Sequence, residues 1–346
     1  MKRLFAMILC LLLLAGCSPA AQQEQVDDGR LKIVATVFPA YDFARAVSGR
    51  AADVTLLLPP GMESHSYEPT PADILAVQNC DLFIYLGGES DSWVDTILTA
   101  VEPKGEVLRM VDCVELLEES HVEGMQMEPG HDHEGHDHGE GESCEEPAEE
   151  AHADEDSGHE AHDGHGLGRV TGMDEHVWTS PRNAAEITLA IGAHMAELDG
   201  ANAEAYGANA EAYAAEIRAL DEAFEDFFAS CGSRTMVFGD RFPLLYFAEA
   251  YQLDYYAAFP GCGTQTEPSA ATIAFLTEKV RKQQIPTVWY IEFSNHLVAD
   301  SIAEATETQT AMFHTCHNVT KAEMDGGATY LSLMEANLQT LREYLV

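Results

Sequence analysis

The sequence predicts an α/β protein of two lobes, each a parallel β-sheet flanked by helices. Short apolar runs alternate with helical stretches in both halves of the chain, a pattern typical of parallel sheets with helices on their faces. A long run rich in Ala, Glu and Leu separates the halves, and a chain of 346 residues is long enough for two domains. We therefore expect an N-terminal lobe at residues 31–182, linking helices at 183–230 and a C-terminal lobe at 231–346.

The first lobe is predicted to alternate four strands with three helices. Thr70 followed by Pro71 indicates a helix start, since Thr is a good cap and proline suits the first helical position. Gly49 is expected to end the first helix. The predicted strands are residues 31–38, 53–58, 81–86 and 107–111. The predicted helices are 41–47, a helix that opens at Thr70–Pro71 and ends before the strand at 81, and 93–101.

The second lobe repeats this scheme after a long linking helix. Residues 201–228 contain only Gly207 as a strong breaker, so they should form one stiff helix that joins the lobes. The predicted strands are residues 235–239, 255–259, 287–293 and 310–314, and the predicted helices are 242–251, 269–283, 296–305 and 330–344.

The N-terminus predicts export and a lipid anchor. Lys2 and Arg3 precede an apolar run at residues 4–14, which is too short to span a bilayer. The run ends in Leu-Ala-Gly-Cys, which resembles a bacterial lipobox with Cys17 as the lipid-bearing residue. Residues 1–17 are thus predicted to be a signal peptide and residues 18–30 a polar tether.

An acidic, histidine-rich loop is predicted at residues 118–168. Residues 115–165 contain nineteen Asp or Glu, nine of the fifteen His and no Lys or Arg. So polar a segment cannot bury enough apolar surface to offset its ordering entropy, and we expect it to be disordered. Because a solvated acidic linker has no need of imidazoles, we expect accessory binding of divalent ions there. The candidate ligands are His131, His133, His136 and His138.

The charge and the cysteines narrow the possible functions. A formal net charge of −41 excludes nucleic acid as a partner and suits a protein that attracts cations. Export permits disulfides without requiring them. Cys262 and Cys316 each follow a strand-like run of the second lobe and form the candidate pair.

Several possible metal ligands follow predicted strands or precede a helix. Ligands bind beyond the carboxyl ends of parallel strands, so these side chains are expected to converge on one cleft. For two of them a structural role is equally open, because Glu292 can pair with an Arg or cap a helix and Asp240 can form a salt bridge. The candidates are His65, His176, Asp240, Glu292 and His317.

The chain resembles the metal-specific solute-binding lipoproteins of zinc and manganese ABC importers. The matching stretches occur in the same order along nearly the whole mature chain: 36–39 (TVFP), 61–69 (GMESHSYEP), 86–89 (LGGE), 174–181 (DEHVWTSP) and 330–334 (YLSLM). The resemblance implies two α/β lobes joined by a long rigid helix, with one metal ion between them. A histidine-rich acidic loop at this place is typical of the zinc branch.

The resemblance also implies a ligand set. The first two family ligands match His65 and His176. The third, a His or Glu after the first strand of the second lobe, has no clean match, and Asp240 is the nearest donor. The fourth falls at His317, and Glu292 is an alternative ligand. Three imidazoles and one carboxylate favour Zn²⁺ over Mn²⁺.

The implied protein is a non-enzymatic receptor that captures Zn²⁺ and delivers it to a membrane ABC permease with its ATPase. It would be a monomer, lipid-anchored to the outer face of the bacterial cell membrane. A manganese receptor and a surface metal buffer or adhesin are the alternatives. A zinc hydrolase is disfavoured because the sequence has no His-Glu-x-x-His stretch.

Overall fold

A computed structural model describes residues 29–126, 172–261 and 267–345. Cys17, Cys262 and the four histidines at positions 131, 133, 136 and 138 lie outside these ranges, so the expectations for them remain predictions. Residues Leu31–Val346 form one compact unit.

Two parallel four-stranded sheets confirm the predicted fold class. The strand orders are β2-β1-β3-β4 and β6-β5-β7-β8, so each sheet begins near its middle and is extended on both sides by crossover helices. This order creates a crevice at the carboxyl ends of the strands. The strands are β1 Leu31–Ala35, β2 Ala52–Leu56, β3 Leu82–Tyr85, β4 Glu106–Arg109, β5 Thr235–Phe242, β6 Asp254–Pro260, β7 Thr287–Ile291 and β8 Gln309–Phe313.

Helices cover the sheets close to the predicted positions. Thr70 caps its helix as expected, because its side chain and that of Asp73 form a reciprocal capping box. The helices are α1 Phe38–Ser48, α2 Pro71–Asn79, α3 Ser92–Ala100, α4 Pro181–Leu198, α5 Ala203–Ser230, α6 Leu245–Tyr251, α7 Ala270–Gln283, α8 Leu297–Thr306, α9 Lys321–Asp325 and α10 Tyr330–Tyr344.

Helix α5 is the long linking helix, and hydrogen bonds attach it to both lobes. Its 28 residues correspond to a length of about 42 Å. The Tyr213 hydroxyl donates to the Asp42 carboxylate of α1 at 2.6 Å. Asp221 in turn accepts from the hydroxyl of Tyr251 on α6 at 2.7 Å. The helix is thus bonded to both lobes.

The first residues of the predicted loop 118–168 are ordered, contrary to expectation, and form a second connection between the lobes, which we call the strap (residues 119–126). It leaves the first lobe beside an isolated antiparallel bridge between Glu118 and Met173. At its far end, the Gln126 amide donates to Ala258 O on edge strand β6 at 3.0 Å. Glu123 pairs with Lys279 of α7 at 3.0 Å. The strap therefore begins on one lobe and docks on the other.

The predicted Cys262–Cys316 disulfide falls partly outside the described residues. Cys316 is a buried thiol, and Cys262 lies outside the described ranges. The pairing therefore remains a prediction, and it requires the short Cα separation of a disulfide. In the described part of the chain, no helix is long and apolar enough to cross a membrane.

Candidate metal site

A small cavity lies between the carboxyl ends of the two sheets. Its volume of about 50 Å³ is far below the roughly 300–1,000 Å³ typical of pockets for organic ligands. Both lobes contribute to its lining, which comprises Met62, Glu63, Ser64, His176, Arg241, Pro243, Gly261, Ile291, Glu292, Phe293, Thr315, His317 and Asn318. The size and the polar lining suit a single ion better than an organic solute.

His176 is held in one orientation by Asp174. The imidazole is 2 % exposed, and Asp174 Oδ1 lies 2.8 Å from the His176 amide and 3.1 Å from Nδ1. This contact places the proton on Nδ1 and leaves the Nε2 lone pair available to a metal. Burial alone lowers the pKa of His176, but the Asp174 charge and hydrogen bond outweigh it, so that the pKa lies above its ordinary value.

His317 faces His176 from the loop that follows β8. The two ring centroids are 6.0 Å apart, with the ring planes at 72°. The His317 carbonyl accepts from the Phe38 amide of the first lobe at 3.2 Å. The Asn318 side chain donates to two carbonyls of the loop after β2, at 2.8 Å each. Hydrogen bonds between the lobes therefore hold His317 at the cavity.

Glu292 also lines the cavity, at the end of β7. Its two oxygens accept from the Thr315 amide at 2.7 Å and from the Thr315 hydroxyl at 2.5 Å. His314 Nδ1 lies 3.6 Å from the carboxylate, and it accepts from the Cys316 amide at 2.9 Å. Glu292 thus supports the loop that carries His317, while its position keeps it an alternative ligand.

Among the described residues, Arg241 lines the cavity and its neighbour Asp240 does not. The prediction ended the strand at Gly239, whereas β5 continues to Phe242 and its register with β6 shifts between Phe238 and Arg241. Such an irregularity changes which side chain points to a given face. Asp240 instead accepts from backbone amides, including that of Ile291 at 3.4 Å. Asp240 thus lies outside the described cavity lining, and its role as the third ligand remains a prediction.

The backbone of His65 lies in the short 3₁₀ turn Ser64–Ser66, beside the cavity-lining Glu63 and Ser64. Ser64 is buried, and its hydroxyl donates to Ser90 O at 2.8 Å. The His65 side chain lies outside the described part of the structure. Among the described side chains, no group of three His, Cys, Asp or Glu could hold a metal ion. His65 thus remains a predicted ligand.

Glu175, the residue before His176, forms a buried acid pair with Asp91 that was not predicted from the sequence. Both oxygens of Glu175 accept from the Ser90 amide, at 3.0 and 2.9 Å. Burial, and next the Glu175 charge, raise the pKa of Asp91 to about 8. The stretch 86–89 (LGGE) is the sequence feature associated with this acid pair. A Cβ on Gly88 would collide with the Glu175 side chain, so a glycine is needed there.

Comparisons with known proteins agree with this architecture. The family model described as "Zinc-uptake complex component A periplasmic" (ZnuA) matches residues 33–344. The zinc-binding lipoprotein AdcA of Streptococcus pneumoniae serotype 4 is 29% identical over 336 residues, which cover 97% of this chain and 59% of that protein. The high-affinity zinc uptake system protein ZnuA of Bacillus subtilis is 28% identical over 349 residues, covering 99% of this chain and 97% of that protein. This chain therefore spans only 59% of the length of the pneumococcal relative.

A solved structure shares the fold. The Zn(II)-bound ZnuA-like domain of Streptococcus pneumoniae AdcA superposes with a TM-score of 0.67 at 25% sequence identity. The match covers 92% of this chain and 99% of that chain.

Proposed function

Because this chain belongs to the ZnuA family of periplasmic zinc-uptake components, we propose that it captures Zn²⁺ between its lobes and delivers it to a membrane ABC permease with its ATPase. The observation that carries the proposal is the approach of His176 and His317 at one small cavity, with Asp174 fixing the first ring. Neutral imidazoles in a closed site are ligands that zinc prefers.

His65 is proposed as the third imidazole, and Glu292 as the carboxylate that completes the shell in place of Asp240. Zinc would be held about 2.0–2.2 Å from these donors in a tetrahedral arrangement. Manganese favours more oxygen donors in a larger shell, so a set of three imidazoles selects against it. The family's proteins are binding components of transport systems, and we propose that this chain likewise catalyses no reaction.

Delivery to the permease needs zinc to leave the cavity. Helix α5 is bonded to both lobes, so we expect local rearrangement of the cavity loops rather than a wide hinge motion. We also propose that Cys17 carries the lipid that anchors a monomeric protein at the outer face of the cell membrane. The histidine-rich segment would raise the local zinc concentration near the cavity.

Calorimetric titration of metal-free protein with Zn²⁺ and with Mn²⁺ tests the proposal. The proteins to titrate are the full chain, the chain without residues 128–165 and the variant His317→Ala. We expect one tight zinc site that survives the deletion and disappears with the substitution. His296→Ala is the matched control, since His296 is a half-exposed imidazole that pairs with Asp300 outside the cavity.

The other outcomes lead to different functions. If deletion of residues 128–165 abolished all tight zinc binding, the protein would instead be a surface metal buffer. A tight manganese site would keep the fold and change the cargo. Unchanged zinc uptake by cells at limiting zinc after the deletion would refute the concentrating role of the segment.

A further inference from the structure

An ion pair between Glu63 and Arg241 crosses the metal cavity. Glu63 belongs to the first lobe, in the loop between β2 and α2, and Arg241 belongs to β5 of the second lobe. Arg241 Nη2 donates to Glu63 Oε1 at 2.9 Å, and both residues line the cavity. The Arg241 side chain is 13% exposed and that of Glu63 is 40% exposed. Partial shielding from water makes such a pair stronger than one on the open surface.

The pair lies next to the turn that carries a predicted ligand. Glu63 directly precedes the turn Ser64–Ser66, which contains His65. The Ser64 hydroxyl is bonded to Ser90 O of the first lobe, while Glu63 reaches to the second lobe. The turn is therefore attached to one lobe through Ser64 and to the other through Glu63. Separation of the lobes at this point requires that the ion pair break.

The charges of the pair also matter to a cation in the cavity. A guanidinium in the lining opposes the entry of a divalent ion unless an anion compensates it. Glu63 supplies that anion directly on Arg241. A planar guanidinium also holds a carboxylate with more directional constraint than an ammonium does.

We propose that Arg241 is a positioning residue: through Glu63 it holds the turn of His65 against the second lobe and so slows the release of zinc. This inference rests on the proposed zinc-binding function. It assigns a role in release to Arg241, a residue of the cavity lining at the end of β5.

A double-mutant cycle on the full chain tests the proposal. The variants are Arg241→Gln, Glu63→Gln and their combination, and zinc release is followed by stopped-flow transfer to excess chromophoric chelator. We expect each single variant to release zinc about tenfold faster, and the double variant to be no faster than either single one. Added salt should speed release from the wild type more than from the variants.

Two further variants distinguish loss of the positioning role of Arg241 from general destabilisation of the fold. The exchange Arg241→Glu with Glu63→Arg should return the release rate to within about threefold of the wild type. Arg241→Lys should fall in between, because it keeps the charge and loses the guanidinium geometry. The matched control is the exposed Arg218–Glu186 pair, where Arg218→Gln and Glu186→Gln should leave release unchanged.

Unchanged release in the single variants, or rates that multiply in the double variant, would overturn the proposal. Wild-type protein that binds no zinc would overturn the proposed function instead. In that case, urea unfolding of the same metal-free variants tests whether the pair joins the lobes. Unfolding free energies that are not additive in the double variant would support the connection, and additive ones would refute it.

Discussion

Asp174 Oδ1 accepts two hydrogen bonds from His176, one from its backbone amide and one from its ring. A single carboxylate oxygen thus fixes both the position of this residue and the tautomer of its imidazole. Carboxylates that orient metal-binding histidines typically contribute 10–100-fold to affinity without touching the metal.

We therefore expect Asp174→Ala to weaken zinc binding by about 10–100-fold without abolishing it. Calorimetry of the metal-free variant would measure the change. Glu106→Ala is the matched control, because Glu106 pairs with the His194 ring at 2.9 Å away from the cavity. Equal losses in the two variants would contradict the specific role of Asp174.

Four substitutions test the candidate ligands whose side chains the structure describes. We expect His176→Ala and His317→Ala each to weaken zinc binding by more than about 100-fold, since each removes a direct ligand. Glu292→Gln should also weaken it, whereas Asp240→Asn should not, because Asp240 is not part of the described cavity lining. Competition with a chelator of known affinity measures all four. A large loss with Asp240→Asn and none with Glu292→Gln would reverse the assignment made from the structure.

The sequence predicted the fold well because its signals were local. The capping box at Thr70 and the apolar runs of the strands depend on neighbouring residues, and these elements lie where the pattern placed them. The end of β5 could not be predicted in this way. Its register shift depends on pairing with β6, which comes later in the chain, and a shift near Gly239 changes which side chain reaches the cavity.

The approach of His176 and His317 is likewise a property of the tertiary fold. Their positions differ by more than a hundred residues, and only the placement of both loops at the ends of the strands brings the rings to 6.0 Å. The family resemblance supplied this pairing before the structure did. It gave no hint of the Glu63–Arg241 pair, because no family ligand matched cleanly at residues 239–241.

The buried Asp91 predicts a loss of stability as the pH rises from about 4 to about 8. Burial and the Glu175 charge raise its pKa from 3.8 to about 8, so the folded protein keeps a proton that the unfolded chain releases near pH 4. The folded state binds more protons between these values, so this contribution to stability is full below about pH 4 and is lost as the pH rises to about 8. The slope is at most about 1.4 kcal/mol per pH unit.

Asp91→Asn should remove this decline, because the amide carries no titrating proton and keeps an oxygen to accept from the Leu86 amide. Urea unfolding between pH 5 and 9 would measure the effect. Asp73→Asn is the control: hydrogen bonds from Thr70 and Tyr67 outweigh burial and lower the pKa of Asp73, so its contribution is lost in acid instead. A decline between pH 5 and 8 that persists in Asp91→Asn would contradict the assignment.

Residues 119–126, the strap, contain a position where one added methyl group should weaken the docking of the strap on the second lobe. Gly124 has a φ of +87°, and a Cβ there would collide with the Phe275 ring of α7. Gly172, at the other side of the histidine-rich region, has a φ of +72° and open space around it. The two Gly→Ala variants therefore share the backbone cost of a positive φ, and only Gly124→Ala adds a collision.

We expect Gly124→Ala to lower the free energy of unfolding by about 1–3 kcal/mol more than Gly172→Ala does. Because Gln126 would lose its bond to Ala258 O, the strap should also become more sensitive to protease than in the Gly172→Ala protein. Urea unfolding and limited proteolysis, with cleavage sites mapped by mass spectrometry, measure the two effects. Equal stability and equal cleavage of the two variants would show that the strap does not hold the lobes together.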